Sequence, residues 1–350
     1  MGAFAGAQGV EPPQRGPASP PAPIRARMPP DRRMGNHLER VVGVLNGVLG
    51  DYLKRTSNGL ATAMQLVRDG HPVPLARAFP AAVSAEAMPR VVVLVHGLMS
   101  TEEVWTMQDG ETYGSLLARD LGYTPFYVRY NSGLRVSENG EALDVLLEQL
   151  VCAYPVAVEE LALIGHSMGG LVARSAAHAA SDKDRRWLPL VKRAFYLGTP
   201  HLGAPLERFG NVVTWALASI DNPYTKLIAD IVNLRSGGMK DLAYANLRRE
   251  DWEGASANAL LQNRRHPVPL LPHIRHHLIA GALTADPRLS LLFGDAMVSL
   301  RSATGRAVAE DRCSPFPQEH ARIMPSLGHL RLAHDPDVYA QIRAWCEEAV

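Results

Sequence analysis

Ser167 sits between two glycines in Gly165-His166-Ser167-Met168-Gly169-Gly170, after the apolar run Leu161-Ala162-Leu163-Ile164 and before Leu171-Val172-Ala173-Arg174. A serine in this G-x-S-x-G pattern is a candidate nucleophile: the strand before it turns sharply into the helix after it and lifts the hydroxyl above the sheet edge. The glycines have a physical task. The serine takes a strained conformation, and its neighbours two residues away come so close that side chains at Gly165 and Gly169 would clash. A hydroxyl is a weak nucleophile at its own pKa. The chemistry therefore also requires a histidine to take the proton and a carboxylate to hold that histidine in one tautomer.

The elements that must position these groups alternate along the chain. Arg90-Val91-Val92-Val93-Leu94-Val95 is a β-branched run ending in His96-Gly97 and reads as a buried parallel strand entering a loop. The pattern then predicts a helix over Tyr113–Leu121, a strand over Pro125–Tyr130, a helix over Glu138–Val151 and a strand over Val158–Ile164. Such alternation means βαβ crossovers and a mostly parallel sheet flanked by helices. Further strands are expected from Arg193 to Leu197, from His276 to Leu283 and from His320 to Pro325, with a terminal helix over Asp337–Glu348. Between Ala204 and Pro272 helical spacing takes over, as in Val212, Val213, Trp215 and Ala216 and again in Leu227, Ile228, Ile231 and Val232. Upstream, Leu38, Val41, Val42, Leu45, Val48, Leu49, Tyr52 and Leu53 recur at helical spacing, which predicts a helix from His37 to about Val67. Gly43, Gly47 and Gly50 interrupt it at a cost of roughly 1 kcal/mol each relative to alanine, so they are expected to permit close packing on another element. Glu102, Glu103 and Trp105 are expected either to line the entrance of the site or to cap the next helix.

Composition narrows the function. The 350 residues, 47% hydrophobic and 20% charged, suit one large domain with a sizeable core. A formal net charge of +1 offers no footprint for a polyanion, so nucleic acid is not an expected partner. Three scattered cysteines, Cys152, Cys313 and Cys346, lack metal-ligand spacing and fit a reducing compartment. No run approaches the ~18 apolar residues of a membrane span. Residues 1–34, rich in Pro, Ala and Arg, read as a disordered tail with no signal-peptide core, and Met28 and Met34 stand as alternative starts. A cytoplasmic location is expected, with peripheral membrane contact left open. The His273, His276 and His277 cluster has no carboxylate or cysteine at ligand spacing, so neither a metal nor another cofactor is expected.

These motifs together resemble the α/β-hydrolase superfamily, over a stretch from about Arg90 to the C-terminus. The elbow, the His96-Gly97 loop and the Gly198-Thr199-Pro200-His201 segment are most similar to bacterial lipases and esterases and to the GPI inositol-deacylase-like branch. The resemblance implies an α/β-hydrolase domain over 90–350, preceded by an N-terminal helix and connecting segment over 35–89, with a helical cap insertion at about 204–272. It also implies the chain order nucleophile, acid, base. Asp295, in Gly294-Asp295-Ala296-Met297-Val298-Ser299-Leu300-Arg301-Ser302-Ala303, matches the family's acid loop; Asp286, before Pro287, is the competitor and reads otherwise as a turn or helix cap. His329, between the last strand and the last helix, falls where the family places its base; its competitor His334 adjoins Asp335-Pro336, which reads as the cap of the final helix. The backbone amides of Leu98 and Met168 are the implied oxyanion donors. The activity implied is hydrolysis of a small-molecule or lipid carboxylic ester through an acyl-enzyme on Ser167. An acyltransferase or thioesterase on the same residues, or a binding protein on an inactive hydrolase fold, are the alternatives.

Overall fold

In the computed structural model, residues 30–75, 79, 81–204, 236–254, 265–283, 295, 297–305 and 316–349 are described. In chain order they form α1 (Pro30–Arg55), β1 (Gln65–Arg68), β2 (His71–Pro72), α2 (Ala81–Ala85), β3 (Arg90–Val95), α3 (Tyr113–Leu121), β4 (Tyr123–Arg129), α4 (Val136–Ala153), β5 (Glu160–His166) and α5 (Met168–Ser181). There follow β6 (Val191–Leu197), α6 (Gly237–Tyr244), β7 (Arg275–Ala282), α7 (Leu300–Ala303), β8 (Ala321–Pro325) and α8 (Pro336–Glu347).

The strands make one sheet in the order β2-β1-β4-β3-β5-β6-β7-β8, parallel from β4 to β8 and antiparallel at β1 and β2. Its central strands are buried on both faces, which is why they read as unbroken apolar runs rather than as alternation. In β3, Val91, Val93 and Val95 join a core with Leu143 and Leu147 of α4 and Leu171 and Val172 of α5. Val92 and Leu94 point the other way and join Leu117 of α3 and Val338 and Ile342 of α8. The result is a three-layer α/β architecture with a helical insertion, to which α6 belongs.

The chain leaves β3 to one side, through α3 into β4, and then crosses by α4 to β5 on the other side of β3. At such a reversal the crevice beyond the strands' carboxyl ends is open to ligand. The register pairs Val95 of β3 with Gly165 of β5, so the His96-Gly97 loop and the elbow emerge side by side.

Three expectations need correction. The first helix ends at Arg55, and residues 65–68 are a strand that pairs antiparallel with β4, Gln65 opposite Arg129. The reason lies in Asp69 (φ 52) and Gly70 (φ 79), two successive positive-φ residues that make the tight turn into β2; an Asp-Gly pair is suited to that conformation. The same helix starts already at Pro30, inside the stretch read as a tail. Trp105 does not line an entrance: it is wholly buried against Tyr113 and His166. Glu102 is buried too, both carboxylate oxygens lying 3.0 Å from Arg129 Nε. Residues 1–29, the Val212–Val232 stretch, Asp286 and Cys313 lie outside the described residues.

Candidate active site

Ser167 occupies the N-cap position of α5 at φ 54, ψ −123, a backbone region that glycine alone enters without strain. Its N–H donates to Leu197 O of β6 at 2.8 Å. The glycines around it are needed, though not all against each other. A Cβ on Gly165 would lie 2.5 Å from Gly170 Cα, whereas one on Gly169 would strike the carbonyl oxygen of Val95 in β3. The elbow is therefore wedged between its own helix and the neighbouring strand.

The acid and base candidates meet. His329 opens a short 3-10 turn after β8, and its Nδ1 lies 2.7 Å from Asp295 Oδ2. The other Asp295 oxygen accepts from the backbone N–H groups of Val298 (2.8 Å) and Met297 (3.1 Å), and the His329 N–H donates to Asp295 O at 3.1 Å. Both side chains are buried. A carboxylate at Nδ1 fixes the tautomer with the proton there, leaving the Nε2 lone pair as acceptor. Nε2 is buried and has no hydrogen-bond partner among the described residues, so the Ser167 hydroxyl does not bond to it here. The two are nonetheless neighbours. A Cβ on Gly198, next to Leu197, would lie 3.1 Å from the His329 ring, and His166, adjacent to Ser167, reaches His329 directly. His334, the competing base, places Nδ1 3.0 Å from Val104 O, while Asp335 caps α8 by accepting from the Asp337 N–H at 3.0 Å.

On the other flank of the serine, a Cβ on Gly97 would lie 3.0 Å from Ser167 Cβ. Beyond it the loop carries Leu98 and then Met99 at φ 56, whose N–H donates to Ser132 Oγ at 3.0 Å. Met168 is the first residue of α5, so its N–H has no acceptor within the helix. His96 is held under the loop: Tyr130 stacks on its ring at 4.4 Å and donates its hydroxyl to His96 O at 2.8 Å, and burial pushes the imidazole down to about 4.

Sequence reasoning left His166 without a specific role. Its Nε2 lies 3.0 Å from His329 O, its ring centroid 5.0 Å from that of His329, and burial, reinforced by the nearby His329, pushes its pKa down to about 3. It is thus a neutral Nε2–H donor that tethers the backbone of the candidate base. The only signal in the sequence was its position inside the elbow. His201, which closes the Gly198-Thr199-Pro200-His201 segment, accepts at Nδ1 from the buried Arg174 at 3.0 Å.

The histidine cluster on β7 is split by the strand. His276 bonds Tyr196 at 2.9 Å and Leu271 O at 3.1 Å, while His277 on the opposite face stacks on Phe195 and Trp345. Among the described residues no group of three His, Cys, Asp or Glu side chains could hold a metal. A cavity of about 190 Å³ lies elsewhere, lined by Arg174, Tyr196, Leu271 and His276 among others and by none of Ser167, Asp295 or His329.

The model of the Alpha/beta hydrolase family matches residues 92–342. Among solved structures, the chain is similar to the mature form of a Bacillus licheniformis lipase, with 17% identity over 81% of this chain and 97% of that one (TM-score 0.46). It is also similar to a Pyrococcus furiosus esterase, with 11% identity over 74% of this chain and 83% of that one (TM-score 0.43). A lipase-esterase related protein from Clostridium acetobutylicum shares 13% identity over 74% of this chain and 95% of its own (TM-score 0.39). No curated protein matches the chain.

Proposed function

This chain belongs to the alpha/beta hydrolase family, and we propose that it is a serine hydrolase that cleaves carboxylic esters through an acyl-enzyme on Ser167. The observation that carries the reading is the buried Asp295–His329 pair at 2.7 Å, with His329 Nε2, which has no partner among the described residues, beside the elbow.

His329 Nε2 takes the proton of Ser167 as the hydroxyl oxygen attacks the acyl carbon, and Asp295 stabilises the imidazolium that results. The carbonyl oxygen, now carrying negative charge, is received by the Leu98 and Met168 N–H groups. Collapse expels the alcohol, which takes its proton from His329. Water, deprotonated by the same histidine, then releases the acid. The pre-set tautomer and the strained, raised serine lower the barrier because neither has to be arranged during the reaction.

The motif resemblance to bacterial lipases and the GPI inositol-deacylase-like branch extends the proposal to lipid esters. No helix among the described residues is long and apolar enough to cross a membrane. We further propose that the protein meets lipid substrates peripherally, from the cytoplasm.

A fluorophosphonate probe is expected to label the wild type but neither Ser167→Ala nor His329→Ala. A p-nitrophenyl ester series of rising acyl length then ranks esterase against lipase character. A folded wild type that neither labels nor turns over an ester, with and without detergent, would overturn the reading.

A further inference from the structure

Three interior glycines cost a helix up to roughly 3 kcal/mol relative to alanine, and α1 places Gly43, Gly47 and Gly50 along one buried face. What that face touches gives the reason. A Cβ on Gly47 would lie 2.7 Å from both Met99 N and Met99 Cα and closer still to Met99 Cγ. One on Gly43 would lie 2.7 Å from Thr101 Cγ2 and 3.0 Å from Ser100 O, and one on Gly50 2.8 Å from Gly133 Cα. The helix backbone is thus laid directly on two loops, 99–101 and 131–133, which leave the carboxyl ends of β3 and β4. Asn131 Nδ2 donates to Gly50 O at 3.1 Å, and Ser132 Oγ accepts from Met99 N, so the second loop binds both the helix and the first loop.

The contacts continue into the insertion. Ser236 Oγ donates to Gly47 O at 2.7 Å, and Asp51 Oδ2 accepts from Gly237 N at the start of α6. Val48 of α1 and Met239 of α6 form a small core on which Leu98 and Met99 pack. Leu98 is therefore held from one side by the β3 loop and from the other by α1 and α6.

We propose that α1 is a positioning clamp for the Leu98 amide, with Gly47 as the residue that sets it. The inference rests on the reading of Leu98 as an oxyanion donor. Met99 N is bonded to the carbonyl carbon of Leu98, so a methyl group at position 47 pushes on the residue that directly follows the donor and shifts Leu98 with it. Helix propensity would favour the same substitution, so a loss of activity in Gly47→Ala reports the loop and not the helix.

The test uses the full-length protein. Active sites are titrated to completion with a fluorophosphonate, and kcat and KM for p-nitrophenyl butyrate are expressed per titrated site. Gly47→Ala is expected to lower kcat at least ~10-fold, since misplacing one oxyanion donor costs up to ~100-fold or more, with KM within about two-fold and the pH profile of kcat/KM unmoved. Ser132→Ala, which removes the acceptor for Met99 N, is expected to lose ~3-fold to ~10-fold in the same way. Gly59→Ala, where a Cβ meets nothing within 4 Å, serves as the unchanged control. A folded Gly47→Ala that matches the wild type per site overturns the clamp, as does a loss explained wholly by fewer titratable sites. If Gly47→Ala does not fold, Ser132→Ala decides, and full kcat there overturns the proposal. A folded wild type without labelling or turnover removes the hydrolase reading and this inference with it, whereas an active wild type matched by its variants removes the clamp alone.

Discussion

Two buried histidines at the far side of the sheet show what separates a candidate base from a packing residue. His329, in the 3-10 turn that follows β8, has Asp295 on Nδ1 and the His166 ring beneath its carbonyl. His277, within β7, is fully buried, and neither of its ring nitrogens has a hydrogen-bond partner among the described residues; Phe195 and Trp345 stack on it and His320 lies tilted against it. Burial makes both sites dry. Only the carboxylate gives one of them a defined tautomer and a means of holding a proton during a reaction.

The comparison is broken most completely by Asp295→Asn, which leaves His329 buried but without its counter-charge, much as His277 is. The expected loss in kcat is ~10⁴-fold with little change in KM, read by steady-state hydrolysis of a p-nitrophenyl ester. His166→Leu removes the tether on His329 O and should lower kcat ~10-fold, while His166→Gln, which keeps an N–H at similar reach, should retain most of it. Equal activity of the two variants would mean that the tether holds nothing.

His277 sharpens the other side. Burial, with help from the nearby His320, pushes its pKa down to about 3. The unfolded chain binds this proton near pH 6.5 and the folded one does not until about pH 3. Its contribution to stability is therefore complete above about pH 6.5 and is lost progressively as the pH falls toward 3. At about pH 5 the loss amounts to about 2 kcal/mol. His277→Phe should leave kcat per site unchanged and reduce the drop in Tm between about pH 7 and pH 5 by a few degrees, measured by calorimetry. An unaltered pH dependence of Tm would show that His277 is not one of the groups that govern acid unfolding.

The same contrast marks how far the sequence could be read. The elbow, the acid loop and the His329 loop are short motifs whose chemistry demands particular residues at particular steps, so Ser167, Asp295 and His329 stood out. The parallel strands were legible because burial on both faces leaves runs such as Val91–Val95 with no polar break. What depends on contact across the fold was not. Gly43, Gly47 and Gly50 announced a close neighbour, but nothing local says that the first two lie on the loop at Met99 to Thr101 and the third on the loop at Asn131 to Gly133. The β1–β2 hairpin was lost because Leu66 and Val67 alone cannot fix a period, although Asp69-Gly70 carried the turn signal. Trp105 and Glu102 were expected to line an entrance or cap a helix, and their burial follows from Tyr113, His166 and Arg129, which lie on other elements.

The positive φ of Ser167 gives this protein a temptation. A non-glycine residue in that region costs on the order of 1–3 kcal/mol, so Ser167→Gly should melt higher than the wild type, while Ser167→Ala, still strained, should not gain in the same way. Under selection for heat tolerance alone, the quickest improvement on offer is to discard the proposed nucleophile. A stabilisation campaign on this chain would therefore need an activity screen at every round, because heat selection and catalysis pull position 167 in opposite directions.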